Sequence, residues 1–125
     1  MSQIPIPRDI KLHKKSRTLE LVYEDGSFEL PAEFLRVLSP SAEVRGHGIG
    51  NGVLQTNKKF VALTDIRPAG NYALKLVFDD GHDSGLYTWE YLHDLAHRQQ
   101  EYWDDYLKQL EAAGESRDGG MIAKG

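Results

Sequence analysis

The heptapeptide Tyr72-Ala73-Leu74-Lys75-Leu76-Val77-Phe78 is the clearest secondary-structure signal in the chain. Its largest apolar side chains stand at every second position, which is the period of a β-strand with one buried face. Turn-forming residues flank it, with Pro68-Ala69-Gly70-Asn71 before it and Asp79-Asp80-Gly81-His82 after it. We therefore predict a strand over residues 72–78, with a turn at each end.

Short runs of alternating apolar residues recur on both sides of this strand. They predict further strands near residues 10–12, 19–23, 28–30, 60–66 and 84–87. Tight turns, such as Glu24-Asp25-Gly26, join consecutive strands, and an Asp-Gly pair favours the positive φ of a hairpin turn. Strands joined by hairpins run antiparallel, so the pattern predicts a small, mainly antiparallel sheet.

Two segments carry helix signals. Pro31 suits the first turn of a short helix over residues 32–38, and Pro40 ends it. Thr88 is a favourable N-cap for a long C-terminal helix that extends to about Ala113, and Gly114 is suited to end it. The predicted fold class is α+β, with a small mainly antiparallel β-sheet, one short helix and one long C-terminal helix.

Composition limits the function classes. The 125 residues suit one domain, which we place at 8–113 between an N-terminal arm (1–7) and a flexible tail (114–125). Cysteine is absent, which excludes disulfides and a nucleophilic thiol and suits the cytoplasm. The net charge of −4 argues against general nucleic-acid binding. No apolar run reaches the roughly 18 residues of a membrane span, so we expect no membrane partner.

Two stretches carry a family resemblance. They are residues 35–46, which read LRVLSPSAEVRG, and residues 70–89, which include Gly70-Asn71-Tyr72 and the Asp80-Gly81-His82-Asp83-Ser84-Gly85 motif. Together they resemble the γ-butyrobetaine hydroxylase-like N-terminal domain. In that hydroxylase the domain precedes an iron- and 2-oxoglutarate-dependent catalytic domain and assists dimer assembly. Similar domains are fused to P-loop ATPases that carry iron–sulfur clusters, and free-standing bacterial copies have no settled function.

The resemblance also implies a metal position. Zinc-bearing relatives bind the ion through a Cys-x-Cys-x-x-Cys motif and one histidine. Those positions correspond to Ser39, Ser41, Val44 and His82 in this sequence. Structural zinc needs four good ligands, usually thiolate or imidazole, and only the histidine remains. We therefore expect no zinc and no other cofactor. His82 is then either a turn residue bonded to local groups or a contact residue at a surface.

The best-supported function class is a non-catalytic accessory domain that binds another protein. By resemblance, the partner is an iron–sulfur carrier or an oxygenase-type enzyme, and a homodimer is also open. The candidate partner-binding residues lie in a glycine-rich loop and in the turn after residue 78: His47, Gly48, Gly50, Asp80, His82 and Ser84. The alternative is a small-ligand-binding protein or enzyme that uses the His82 and glycine-loop region. An aromatic set on the C-terminal helix, Tyr91, Tyr102, Trp103 and Tyr106, is either core margin or a contact surface.

Overall fold

The computed structural model describes residues 4–40, 54–83 and 85–118. The chain forms six strands and three helices within those ranges: β1 (Asp9–His13), β2 (Thr18–Tyr23), β3 (Gly26–Pro31), α1 (Ala32–Val37), β4 (Leu63–Ala69), β5 (Ala73–Phe78), β6 (Leu86–Thr88), α2 (Trp89–His97) and α3 (Gln99–Ala113). The predicted α+β class is confirmed. None of the helices in the described ranges is long and apolar enough to span a membrane.

The strands lie in two separate antiparallel sheets of three. The first has the order β1-β2-β3, and the second has the order β4-β5-β6. In the first sheet, Leu19 and Leu21 of β2 and Leu30 of β3 are fully buried, as their alternation predicts. Gly26 opens β3 with a φ of 145°, a conformation that L side chains rarely adopt. The hairpin turn at Asp25-Gly26 is therefore set by local sequence.

The second sheet differs in detail from the prediction. β4 starts and ends about three residues later than expected, so that Pro68 lies in the strand, opposite Leu74. A proline is tolerated there because β4 is an outer strand in the described order, and its missing N–H breaks no central ladder. Tyr72, expected to begin the central strand, precedes β5 and is 51% exposed.

The predicted long C-terminal helix is interrupted at Arg98, whose φ of −120° and ψ of 29° are not helical. Thr88 caps α2 as predicted, because its hydroxyl accepts the Tyr91 N–H at 3.2 Å. The break separates two helices that contribute buried residues to different clusters, although Tyr102 and Trp103 of α3 also pack against the main one. α2 contributes to the main core, whereas Tyr106 and Leu110 of α3 pack with Val37 in a second, smaller cluster.

Residues 115–118 lie against the body of the domain. The Lys59 N–H donates to the Arg117 carbonyl at 3.0 Å, and the Arg117 guanidinium makes two bonds to the buried Glu33 carboxylate at 2.7 and 2.8 Å. These contacts lie within the segment 114–125 that the sequence predicts to be a flexible tail. Glu33 and Arg117 are 84 positions apart, so no local sequence period reveals their pairing. Residues 119–125 lie outside the described ranges.

Candidate functional site

The candidate site forms where the end of α1 meets the turn between β5 and β6. α1 is only six residues long, and Ser39 follows its C-terminal cap at Leu38. In the turn, Gly81 has a φ of 89°, which glycine adopts without strain. The Phe78 N–H donates to the His82 carbonyl at 3.1 Å, and this bond closes the turn. Local backbone chemistry thus sets the position of His82.

Ser39 and His82 meet directly in the interior. The Ser39 hydroxyl lies 2.9 Å from His82 Nε2, and the two residues are 0% and 8% exposed. They are 43 positions apart in the chain, so their bond ties the end of α1 to the β5–β6 turn. These are two of the four positions at which zinc-bearing relatives are expected to hold the ion. A hydroxyl and one imidazole supply no thiolate, and this donor pair does not fit a structural zinc site.

Asp80 is the charged centre beside this bond. Its carboxylate accepts the Arg36 Nε–H at 2.9 Å and the Lys58 ammonium at 2.6 Å, and its second oxygen accepts the His82 backbone N–H at 3.1 Å. Partial burial by itself raises the pKa of Asp80, but the bonds from Lys58, His82 and Arg36 lower it to about 2. We call Arg36, Ser39, Lys58, Asp80 and His82 the polar knuckle.

Two tyrosines complete the polar arrangement at the end of α1. The Tyr87 hydroxyl donates to the Leu35 carbonyl at 2.6 Å, and the Tyr91 hydroxyl donates to the Leu38 carbonyl at 2.5 Å. The last carbonyls of a helix have no partner within the helix, so these donors satisfy groups that would otherwise be buried unpaired. Burial raises the pKa of Tyr87 strongly and keeps its proton in place.

Comparison with known proteins decides the family. The family model described as "Gamma-butyrobetaine hydroxylase-like, N-terminal" matches residues 10–93. The chain belongs to this family.

Solved structures agree with the family match. Two NMR solution structures are similar to the chain at 56% and 52% identity, with TM-scores of 0.84 and 0.79. The first comparison covers 98% of both chains, and the second covers 100% of this chain and 96% of the other. A crystal structure from Acidithiobacillus ferrooxidans, a DUF971-family protein of unknown function, has 35% identity and a TM-score of 0.59. It covers 72% of this chain and 91% of its own. No curated protein matches significantly.

The matched region of this γ-butyrobetaine hydroxylase-like domain contains all members of the polar knuckle. The structure brings together Ser39, Asp80 and His82 from the sequence-based candidates. The other candidates, Ser41, Val44, His47, Gly48, Gly50 and Ser84, lie outside the described residues.

Sequence reasoning missed the two cations of the knuckle. Arg36 and Lys58 reach Asp80 across 44 and 22 positions. The one available signal was a charged residue, Arg36, inside the otherwise apolar end of a short helix. The side chain of Arg36 is only 8% exposed, so it needs an acidic partner.

The chemistry of the knuckle is that of a structural cross-link. A serine nucleophile has to reach a substrate, and Ser39 has no exposed surface in this arrangement. The aromatic set on the C-terminal helices is also engaged internally. The Tyr106 hydroxyl donates to the Gln55 carbonyl at 2.7 Å, the Tyr102 hydroxyl donates to the Asp94 carboxylate, and Trp103 packs against both hydrophobic clusters.

Proposed function

We propose that this chain is a non-catalytic accessory domain of the cytoplasm that acts by binding another protein. The polar knuckle is the scaffold of its docking surface. The observation that carries the proposal is the 2.9 Å bond between Ser39 and His82, two side chains with almost no exposed surface. In this proposal the bond takes over the cross-linking role of the zinc ion in the relatives, so the two segments stay together without metal.

The internal pairing of the knuckle supports a binding role over catalysis. Asp80 is engaged by Arg36, Lys58 and the His82 N–H, and the low pKa keeps it ionised at neutral pH. General acid–base catalysis needs a group that reaches substrate and has a pKa near the working pH. Asp80 has neither property, whereas a charge held in place by two cations is a rigid support for its neighbours.

The docking surface in this proposal is the exposed rim of the turn, formed by Asp79, Gly81 and Asp83. Asp83 lies 3.9 Å from the Lys75 ammonium and is more than half exposed, so its charge is available to a partner. The complementary surface is a basic patch. The family resemblance suggests an iron–sulfur carrier or an oxygenase-type enzyme as the protein that carries it, and a second copy of this chain is the homodimeric case.

The test compares two charge-matched double variants in affinity capture from the native cell, with identification by mass spectrometry. Asp79→Asn with Asp83→Asn removes both rim charges, and the asparagine keeps an oxygen for the Ala62 N–H that Asp79 accepts at 3.1 Å. Asp104→Asn with Asp105→Asn makes the same charge change on the exposed face of α3. We expect the rim variant to reduce capture of a specific partner at least tenfold, about 1.4 kcal/mol, and the α3 variant to leave it unchanged.

Equal capture by both variants would place the docking surface elsewhere on the domain. Size-exclusion chromatography with light scattering covers the homodimeric case. If the wild-type chain is a dimer and only the rim variant is a monomer, the partner is a second copy.

A further inference from the structure

The outer face of the first sheet carries two carboxylates in direct opposition. Leu19 and Leu21 point into the core, so the alternate residues of β2, including Glu20, lie on the other face. Glu20 pairs across the sheet with Glu29 of β3. Like charges directly opposite each other destabilise an antiparallel pair. Lys11 lies opposite Glu20 on the β1 side and offsets part of this repulsion.

An imidazole completes the group. His13, at the end of β1, places Nε2 at 2.8 Å from Glu20 Oε1. Potential ligand atoms of His13, Glu20 and Glu29 all lie within 4.8 Å of one another. We call these three residues the sheet cluster. They come from three adjacent strands, so the register of the sheet holds their backbones in place.

Two hydroxyls orient the carboxylates of the sheet cluster. Ser27 donates to Glu20 Oε2 at 2.7 Å, which leaves Oε1 on the His13 side. Thr18 donates to Glu29 Oε1 at 3.2 Å. Hydrogen bonds from outside the ligand set commonly orient the carboxylates and imidazoles of metal sites.

We propose that the sheet cluster binds one divalent transition-metal ion of the Zn²⁺ type, through His13 Nε2 and one oxygen each from Glu20 and Glu29. Zinc binds imidazole nitrogen and carboxylate oxygen at about 2.0–2.2 Å, so ligand atoms in a tetrahedral site are roughly 3.3 Å apart. Binding of the ion requires side-chain rotation that draws the three atoms from within 4.8 Å of one another to that spacing. Solvent occupies the remaining position, and the imidazole favours transition metals over Mg²⁺ and Ca²⁺, which prefer oxygen ligands alone.

The site is independent of the polar knuckle. Its residues lie on β1, β2 and β3, whereas those of the knuckle lie on or after α1 and around the β5–β6 turn.

The experiment titrates the untagged full chain with Zn²⁺ and follows heat and ¹H–¹⁵N NMR shifts. We expect saturable binding of one ion with shifts confined to β1–β3, and no comparable shifts with the same concentration of Mg²⁺. His13→Ala and Glu29→Gln should each weaken Zn²⁺ binding at least tenfold. Both side chains are solvent-accessible, so we expect both variants to keep the melting temperature of the parent chain.

His97→Ala is the matched control. His97 makes a comparable bond to a single carboxylate, with Nε2 at 3.1 Å from Asp25, and should not affect Zn²⁺ binding. Binding that survives both cluster variants, binding that is lost with His97→Ala, or equal competition by Mg²⁺ would each overturn the proposal. In those cases the ion binds adventitiously to other histidines or to the acidic surface in general.

Discussion

Two histidines connect distant parts of this domain in contrasting ways. His82 is buried and bonds to buried Ser39, 43 positions away. His97 bonds to Asp25, 72 positions away, but the two side chains are 29% and 62% exposed. His97 also stacks on His93, with ring centroids 4.0 Å apart. One histidine belongs to the interior, and the other belongs to the solvent boundary.

The comparison shows that burial, more than geometry, decides what a hydrogen bond contributes. Both bonds have ordinary lengths. When one partner of a buried bond is removed, water cannot replace it as a hydrogen-bond partner for the other polar group, which costs about 1–3 kcal/mol of stability. At the surface, water replaces the lost partner, and exposed ion pairs contribute little. Substitutions in the polar knuckle should therefore lower the free energy of unfolding. Substitutions in the pair formed by His97 and Asp25 should mainly change the pKa of His97.

The largest effect is expected from Asp80→Ala. The change removes the carboxylate that faces Arg36 and leaves that guanidinium almost fully buried without its acidic partner. We expect the free energy of unfolding to fall by about 3 kcal/mol, measured by denaturant titration. Asp104→Ala, which removes an exposed carboxylate on α3, is the control and should change stability little. If Asp80→Ala lowers the free energy of unfolding by less than 1 kcal/mol, the ion pairs of the polar knuckle contribute no more to stability than an exposed pair does.

The next effect concerns the bond itself. Ser39→Ala and His82→Ala should each lower the free energy of unfolding by about 2 kcal/mol, because each removes one side of a hydrogen bond between two buried side chains. The double variant should lose less than the sum of the two single losses, since a single bond is broken twice in that sum. Additive losses in this double-mutant cycle would mean that the residues do not interact in solution.

A third prediction concerns the stability of the domain at low pH. The pKa of Asp80 is about 2 in the fold, below its ordinary value of 3.8. Its contribution to stability is therefore complete above pH 4 and is lost as the pH falls toward 2. We expect the parent chain to lose roughly 1–2 kcal/mol over this interval beyond what Asp80→Ala loses, by denaturant titration at each pH. If the free energy of unfolding changes with pH in the same way in the parent chain and in Asp80→Ala, the stabilisation lost in acid does not come from Asp80.

The smallest effect is expected at the surface histidine. Partial burial by itself lowers the pKa of His97, but the bonds to Asp25 and to the His93 carbonyl raise it above 6.5. Burial and the neighbouring His97 lower the pKa of His93. Asp25→Asn should bring the pKa of His97 down, as measured by NMR titration, with little change in melting temperature.

The sign of the pH effect sharpens this prediction. A raised pKa makes His97 stabilise the fold below pH 6.5, and the contribution is lost as the pH rises through the folded-state value. His93 acts in the opposite direction, because its lowered pKa costs stability as the pH falls. The free energy of unfolding should therefore change little with pH near neutrality. A steep change that Asp25→Asn abolishes would show that the exposed pair of His97 and Asp25 contributes more to stability than expected for a surface pair.

Local sequence predicted the parts of the fold that depend on neighbouring residues. The alternation of Leu74, Leu76 and Phe78 predicted the buried face of β5, and Gly26 and Gly81 marked turns that require positive φ. The break at Arg98 was not predicted. The apolar period runs through Arg98, so the sequence pattern does not mark the interruption.

The candidate site was predictable only in part, for a related reason. The family resemblance pointed to Ser39 and His82, and the structure places them within hydrogen-bond distance. Arg36 and Lys58 could not be assigned, because a salt bridge across 44 or 22 positions has no period and no fixed spacing. The hydrogen bonds of Tyr87 and Tyr91 could not be predicted for the same reason. Their hydroxyls bond to carbonyl groups, which every residue has and no sequence pattern marks.

The contact between residues 115–118 and the rest of the domain has a spectroscopic consequence. The Arg117 guanidinium lies 5.1 Å from the centre of the Trp103 ring, and the chain has only one other tryptophan, Trp89. Indole emission responds to a nearby positive charge and to water. A chain with Trp89→Phe therefore has a single tryptophan, Trp103, and it lies directly against Arg117 of the C-terminal segment. Its emission would report release of that segment separately from the loss of secondary structure seen by circular dichroism.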